Sequence, residues 1–492
     1  MKYIVKDMDI ATGGVIVALL NQKDARKFDL HHEDRILVKH NRKQVVAIVD
    51  IGESSKAVPQ GHIGCFEELL NELHIKHKDK VEVLLEKKPE SLKYIKKKLD
   101  GKRLSESEIF EIITDVVNNK LTATELTYFI AASYTKGLSL DETVYLTRAM
   151  IETGDVLKFN KRPIVDKHCI GGVAGNRVTM AIVPMLVAAG LTVPKTSSRS
   201  ITSPAGTADT MEVLANVSLT KHKIKSVVDR IGGCVVWGGA VNLAPADDKI
   251  IKVENPLSID AEGNLLSSIL AKKGSVSATH VLIDIPVGIG AKVEDLKVAH
   301  RLKREFEKLG KGLGMKIKCI ITDGSEPIGN GIGPALEARD VLWLLMNDIR
   351  APSDLRKKAI YIAEEMLELA GKSRHLAKDV LFSGKAYDTF VKIIKAQGAK
   401  IINPDKIKLG KFTYKYFADR NGRILHIDNK EISKIARLAG APQDKGAGIY
   451  LCKHKNSRVV KGEKIFTIYA ENEEKLNFAV DTLATSKAVT IL

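Results

Sequence analysis

The chain has 492 residues, 44% hydrophobic and 28% charged, with a formal net charge of +17. That length fits about three domains of ordinary size. The most apolar run, near Met180–Leu191, is interrupted by Pro184 and Gly190 and falls short of the ~20 apolar residues a spanning helix needs. Cys65, Cys169, Cys234, Cys319 and Cys452 are scattered with no Cys-x-x-Cys pair, which argues against a disulfide framework and a zinc site. The opening MKYIVKDMDI carries acidic residues where a secretion signal would be apolar, so a cytoplasmic location is expected. Glutamine occurs only at positions 22, 44, 60, 397 and 443 beside abundant Lys and Glu, a balance leaning toward thermophiles. The lysines are interleaved with Glu and Asp along the whole chain, as in Lys87–Lys98 and Lys292–Lys311. Such spread charge describes solvated faces better than a nucleic-acid groove, and small anions are the expected use of the positive field. A basic RNA-binding scaffold is the non-enzyme alternative; it would show as salt-dependent retention on RNA.

The first 85 residues read as a small β-rich domain. Tyr3–Val5, Val15–Val17, Arg35–Val38, Val45–Val49 and Val81–Leu85 are its strands, separated by Thr12-Gly13-Gly14 and Asn41-Arg42 turns. The pairs His31-His32 and His74/His77 lack a metal-ligand spacing and read as exposed histidines. Residues 86–160 read as helical: Ser105-Glu106-Ser107-Glu108 is a helix start, and Ile109, Ile112, Ile113, Val116 and Val117 form one apolar stripe. With Leu126, Phe129 and Ile130, that stripe predicts a face left for a homodimer or a higher homo-oligomer. Over 161–244 and 277–420, strands and helices alternate: Pro163–Val165, Gly175–Ala189, Thr192–Thr196, Thr207–Asn216, then Val281–Val287, Ala299–Lys311 and Lys316–Thr322. This order predicts a mostly parallel sheet with its site at the strands' C-terminal ends. Residues 421–492 read as a second small β-rich domain. The fold class is thus multidomain α/β.

Three segments hold more Gly, Ser, Thr and Lys than core packing needs. Val165–Asn176 (VDKHCIGGVAGN) follows a strand and precedes a helix, so its backbone N–H groups and the helix N-terminus form an anion site, with Lys167 as a point charge. Lys195–Asp209 (KTSSRSITSPAGTAD) repeats the strand–loop–helix arrangement with seven hydroxyls and one guanidinium. Asp260–Lys273 places Ser268 and Lys272 at i and i+4, on one face of a helix.

These motifs resemble those of the thymidine/pyrimidine-nucleoside phosphorylases. Ser197-x-Arg199 leading to Gly206-Thr207-x-Asp209-x-x-Glu212 resembles the family signature. Lys167-His168 with Gly171-Gly172 resembles its phosphate loop, and Ser268-x-x-x-Lys272 its base-binding helix. Gly329–Glu337, Gly446–Ile449 and Lys461–Glu463 resemble its later segments. Cys169 stands where those enzymes place a phosphate-binding Ser, Val253 where they place a base-reading Arg, and Pro286 where they place a Lys, with Lys292 just beyond Gly290. Together with the extra N-terminal domain, these departures are similar to the archaeal AMP phosphorylase branch.

The resemblance implies a helical domain to which residues 245–276 return, joined to an α/β domain of the nucleoside phosphorylase/phosphoribosyltransferase type. It implies phosphorolysis of a nucleoside 5′-monophosphate, AMP plus phosphate giving adenine and ribose 1,5-bisphosphate. Inorganic phosphate is then the co-substrate, with no cofactor, no metal, and neither a nucleic-acid nor a membrane partner. Substrate contacts are implied for Lys167, Gly171, Gly172, Ser197, Ser198, Arg199, Ser200, Ile201, Thr202, Ser203, Thr207, Ser268, Lys272 and Lys292. Asp260 is the implied proton donor to the leaving base, and His168 is the runner-up because its ordinary pKa lies near neutrality. A pyrimidine nucleoside phosphorylase is the nearest alternative activity. A phosphoribosyltransferase would need an acidic pair for Mg²⁺-pyrophosphate, for which Asp247-Asp248 is the candidate.

Overall fold

The computed structural model describes residues 1–200, 203–257 and 261–492. They divide into two compact units, Met1–Gly154 with Ala244–Ala271, and Asp155–Leu243 with Lys272–Leu492.

In the first unit, β1 (Lys2–Asp7), β2 (Val17–Asn21), β3 (Arg35–His40), β4 (Lys43–Gly52), β5 (His62–Cys65) and β6 (Lys80–Glu86) close into a barrel in the order β1-β5-β2-β4-β3-β6. β3 and β4 bury Ile36, Val38, Val45, Ala47 and Val49 in the barrel core, and Val46 and Ile48 are buried as well. β2 begins at Val17, later than the expected Val15. β5 has no counterpart among the expected strands, because its four residues include Gly64. The barrel needs that glycine: a Cβ there would lie 2.8 Å from a Val58 methyl and 3.0 Å from the Leu19 Cβ. His31, His32, His74 and His77 are exposed.

Helices Ser91–Leu99, Glu106–Val117, Ala123–Lys136 and Leu140–Glu152 follow, the last three each opened by a reciprocal capping box: Ser105 with Glu108, Thr122 with Glu125, Ser139 with Glu142. The expected oligomer face is not where the stripe placed it. Ile109, Ile112, Ile113, Val116, Leu126, Phe129 and Ile130 are all buried in the bundle core. The segment returning from Ala244 covers them, contributing Ala244, Ala246, Ile250 and Ala271 to the same cluster. Val253 packs on this core too, so it fills a structural place rather than facing a base. Asp247 is buried and Asp248 exposed, because consecutive helical residues point ~100° apart; they do not form a chelating pair.

The second unit is built on parallel strands β7 (Val165–Cys169), β8 (Val193–Ser197), β9 (Gly233–Trp237), β10 (His280–Val287) and β11 (Lys316–Asp323). β7 pairs with β10, β10 with β11, and β8 with β9, all parallel. A parallel bridge between Ile164 and Thr192 links the β7 and β8 edges. The chain therefore proceeds from β7 to β9 on one side and resumes at β10 on the other. This is the topological switch at which open α/β sheets place their ligands. The helix Val178–Ala188 is buried almost all round, which explains its continuous apolar sequence. The C-terminal region is not simply β-rich. Its strands Phe412–Phe417, Gly422–Ile427, Gly448–Leu451, Lys464–Ala470 and Val489–Ile491 carry two helices, Asn429–Leu438 and Glu473–Thr485, whose apolar positions recur at helical spacing.

One buried ion pair ties the helical region together. Lys98 Nζ lies 2.7 Å from Glu142 Oε1, with both side chains buried, and Glu142 also accepts the Leu104 and Ser139 N–H groups at 3.0 and 2.8 Å. Burial opposes the charge on Glu142, but Lys98 and these donors outweigh it and hold the carboxyl below its ordinary value of 4.5. Glu142→Ala, which strands a buried ammonium, should lower stability by about 3–5 kcal/mol in urea unfolding at pH 7. Because the folded pKa is depressed, the stabilisation is full above about pH 4.5 and fades as pH falls through the folded value. A loss as large at pH 3 as at pH 7 would contradict this.

Candidate active site

The C-terminal ends of β7, β8 and β10 release three loops, and buried charge lies beneath the first. Asp166 is held between two lysines, Lys195 Nζ at 3.1 Å from Oδ1 and Lys273 Nζ at 2.6 Å from Oδ2. Asp284, paired with Cys169 in the β7–β10 register, lies 3.5 Å from both Lys167 Nζ and Lys358 Nζ. It also accepts the Thr322 hydroxyl at 2.6 Å. All six of these charged groups are buried. Burial penalises both carboxylates, yet the facing ammoniums outweigh it and hold Asp166 and Asp284 below the usual range. Burial also draws Lys195 below the usual lysine range, against the opposing pull of Asp166. Four lysines face two aspartates, so the floor carries an excess of positive charge in a low-dielectric setting, where it acts most strongly on an anion.

His168 is the penultimate residue of β7. Burial first, then the ammoniums of Lys273, Lys195, Lys167 and Lys272, push its pKa well below 6.5. The imidazole is therefore neutral near pH 7, which counts against the expectation that it serves as a protonated acid. Cys169 is likewise kept as a thiol, pushed up by burial and by Asp284 against Lys167 and Lys358; Asn176 Nδ2 donates to its Sγ at 3.5 Å.

The glycine loop closes on the β10 loop. Gly172 has φ +89°, and a Cβ on it would lie 2.2 Å from the backbone N of Lys292; only glycine permits both the conformation and the approach. Gly175, at φ +72°, would meet the Ile328 carbonyl at 2.3 Å. The C-terminal region locks onto the same loop through buried Asn429, whose Oδ1 accepts the Ala174 N–H and whose Nδ2 donates to the Gly324 carbonyl, both at 3.0 Å. Between these parts opens a cavity of about 840 Å³, lined by Gly172, Gly175, Arg177, Ser200, Ser203 and Lys292 on one side and by the helices Asn429–Leu438 and Glu473–Thr485 on the other.

The predicted residues thus separate. Gly172, Ser200, Ser203 and Lys292 line one cavity, while Lys167 is buried and is not among its lining residues. Arg199 is committed elsewhere. Its guanidinium grips both Glu212 oxygens at 2.7 and 2.8 Å and Asp209 Oδ1 at 3.2 Å, and it stacks 4.9 Å over Trp237. With its charge matched by two carboxylates, it shapes the loop instead of supplying a spare cation. Asp209 accepts the Ser200 and Gly206 N–H groups at 2.7 and 2.9 Å, holding the turn, and Ser198 is exposed. Thr207 accepts from Arg177 at 3.2 Å. Ser268 and Lys272 both lie on the helix Glu262–Gly274. Ile201, Thr202 and Asp260 lie outside the described residues.

Comparison with known proteins accords with this architecture. The helical bundle domain of a glycosyl transferase family matches residues 92–154, its a/b domain matches 161–281, and the pyrimidine nucleoside phosphorylase C-terminal domain matches 424–490. AMP phosphorylase 1 of Archaeoglobus fulgidus is 45% identical over 482 residues, 97% of this chain and 95% of its own length. The AMP phosphorylase of Pyrococcus furiosus is 44% identical over 486 residues, 98% and 96% of the two chains. The chain belongs to the AMP phosphorylase family. It is an enzyme of the pentosyltransferase class. Anthranilate phosphoribosyltransferase of Thermus thermophilus shares the fold over 62% of this chain and 98% of its own, with a TM-score of 0.51 at 18% identity.

Several members of this constellation carry no local signal in the sequence. Lys195 and Lys273 stand at the ends of two segments singled out in the sequence without a role being read for either, while Lys358, Arg177 and Asn429 lie outside all three. Arg177 directly follows the glycine loop that ends at Asn176. Gly172→Ala should force the glycine and β10 loops apart and reduce kcat/KM by ~100-fold or more, the scale of a small displacement of catalytic geometry. Steady-state kinetics with a far-UV spectrum would check it, and a folded variant within about 3-fold of wild type would refute the role assigned to the close approach.

Proposed function

We propose that this enzyme cleaves the N-glycosidic bond of nucleoside 5′-monophosphates, AMP foremost, with inorganic phosphate, giving free base and ribose 1,5-bisphosphate. The observation that carries the reading is a nucleotide-sized cavity whose lining, among the described residues, holds several cations and no carboxylate, bordered by the glycine loop that follows the buried lysine–aspartate cluster of β7. The names of the relatives supply the nucleotide.

Phosphorolysis passes through an oxocarbenium-like ribose. The enzyme must hold one phosphate beneath C1′, hold the sugar's own phosphate, and neutralise charge on the departing base. The glycine loop above Lys167 suits the first task, with amides and a positive floor. The wall carrying Lys292, Ser200 and Ser203 suits the second. For the third, Asp260 remains the candidate acid, while His168, neutral in its setting, is suited to donating or accepting a hydrogen bond that orients the sugar or phosphate. We place the enzyme in the cytoplasm as a homodimer. Its interface would use exposed aromatics of the helical region such as Phe110, Tyr128 and Tyr134 in place of the buried stripe, and sedimentation would report it.

Incubation with each nucleoside monophosphate and phosphate, following free base by chromatography, tests the activity. Adenosine should lose at least ~10-fold in kcat/KM against AMP, since a charge-assisted phosphate contact contributes roughly 1.5–3 kcal/mol. Equal turnover of both, or preference for uridine, would return the protein to the nucleoside phosphorylases. The rate should survive dialysis against EDTA, and a loss restored by Mg²⁺ would overturn the metal-free scheme.

Asp260→Asn should lower kcat by ~100-fold or more with little change in KM, the pattern of a group acting in the transition state. His168→Ala should raise KM at least as much as it lowers kcat. The reverse result, a normal Asp260→Asn and a dead His168→Ala, would transfer the acid role to the histidine.

A further inference from the structure

The glycine-rich segment Gly329–Glu337 has no task in the chemistry so far, yet it meets both loops that border the cavity. On one side it backs the glycine loop. The N–H of Ile328, just before the segment, donates to the Ala174 carbonyl at 2.9 Å. A Cβ on Gly175 would lie 2.3 Å from the Ile328 carbonyl and 3.0 Å from that of Gly331. On the other side, buried Glu337 reaches the helix Thr207–Leu214, into which the hydroxyl loop runs at Gly206. Its Oε2 accepts the Thr210 hydroxyl at 3.1 Å, and its Oε1 accepts the Gly333 N–H at 3.1 Å.

Arg177 completes the bridge. Its N–H donates to the Gly175 carbonyl at 2.8 Å, which ties its backbone to the glycine loop. Its side chain crosses to the other loop. Nη2 donates to the Ala205 carbonyl at 2.8 Å and Nη1 to the Thr207 hydroxyl at 3.2 Å, while Nε forms an ion pair with Glu337 Oε2. Arg177 borders the cavity, but its side chain is only 11% exposed, and all three guanidinium nitrogens have protein partners. The side chain is placed to hold loops together, not to receive a ligand. A planar guanidinium holds such a spacing through its fixed fork, which a flexible ammonium cannot reproduce.

We propose that Arg177, anchored by Glu337, is a positioning residue that fixes the separation of the glycine loop and the hydroxyl loop, and thereby the approach of phosphate to C1′. This rests on the reading of the enzyme as a phosphorylase. The attacking oxygen has to come within ~3–3.5 Å of the carbon, and an error of about 1 Å costs as much as ~100-fold in rate. Neither side chain has to touch a substrate to have this effect.

The test compares Arg177→Lys, Glu337→Gln and the double variant by steady-state kinetics in AMP and in phosphate, with thermal unfolding alongside. Arg177→Lys keeps the charge beside the cavity and loses the fork. In both single variants kcat should fall ~10–100-fold, with both KM values within about 3-fold of wild type. The double variant should be no slower than the slower single one, because the two side chains act through one bridge. A KM for phosphate or AMP raised ~10-fold with kcat kept would make Arg177 a substrate contact and overturn the proposal. Normal kinetics beside a lowered thermal midpoint would reduce the pair to support of the fold and overturn it equally. Losses that multiply in the double variant would overturn the single bridge. Amide hydrogen exchange needs no turnover: in Arg177→Lys, exchange over residues 203–209 should quicken ~10-fold, and an unchanged rate there would contradict the strut. If wild type leaves AMP intact while exchange responds in this way, the function reading fails and the bridge stands.

Discussion

Two buried aspartates, each held between two lysines, are the constraint on which the active-site end of the sheet depends. Removing six charges from water is costly, and mutual attraction compensates only if each carboxylate is closely surrounded. Asp166 and Asp284 meet that condition from neighbouring strands, β7 and β10, with partners drawn from β8, the end of the helix Glu262–Gly274, and the helix Ser353–Leu369. The arrangement fastens the strand ends whose loops form the cavity. It also leaves more positive than negative charge under them. A packed apolar floor could fasten the strands equally well; the charged one adds a positive field at the strand ends.

That field has a second consequence, at His168. Burial first, and then the surrounding ammoniums, disfavour the charged ring and draw its pKa well below the ordinary 6.5. Burial and the lysines of the floor act in the same direction on this ring. The ligand-free site thus holds His168 as a neutral imidazole, able to donate or accept a hydrogen bond.

The loops illustrate a division between contact and support. Arg199 looks in the sequence like a phosphate-binding guanidinium, since it stands among serines in a strand-to-helix turn. In the structure it is a strut: Glu212, Asp209 and the face of Trp237 take up its charge and its plane, and Lys445 joins the same carboxylates at 3.1 Å from Glu212. Asn429, unremarkable in sequence, holds the C-terminal region to the glycine loop by two buried hydrogen bonds. Polarity alone does not separate the two roles, because a side chain's partners decide whether its charge is still available.

Local signals carried much of this protein. Short β-prone runs bounded by turns identified β3 and β4, Ser105–Glu108 located a helix start, and glycine with lysine after a strand marked the loop that borders the cavity, since each depends on residues within a few positions of one another. The motif spacing from Ser197 to Glu212 carried the family. Tertiary structure decided the rest. β5 is a strand because its neighbours pack around Gly64, and the Ile109 stripe is core because Ala244–Ala271 returns to cover it. Lys195, Lys273 and Lys358 form a floor because three distant segments converge on β7 and β10. A sequence states which groups can be charged, bent or capped, but burial and pairing are properties of the folded neighbourhood, and these set which lysines hold the fold and which face the substrate.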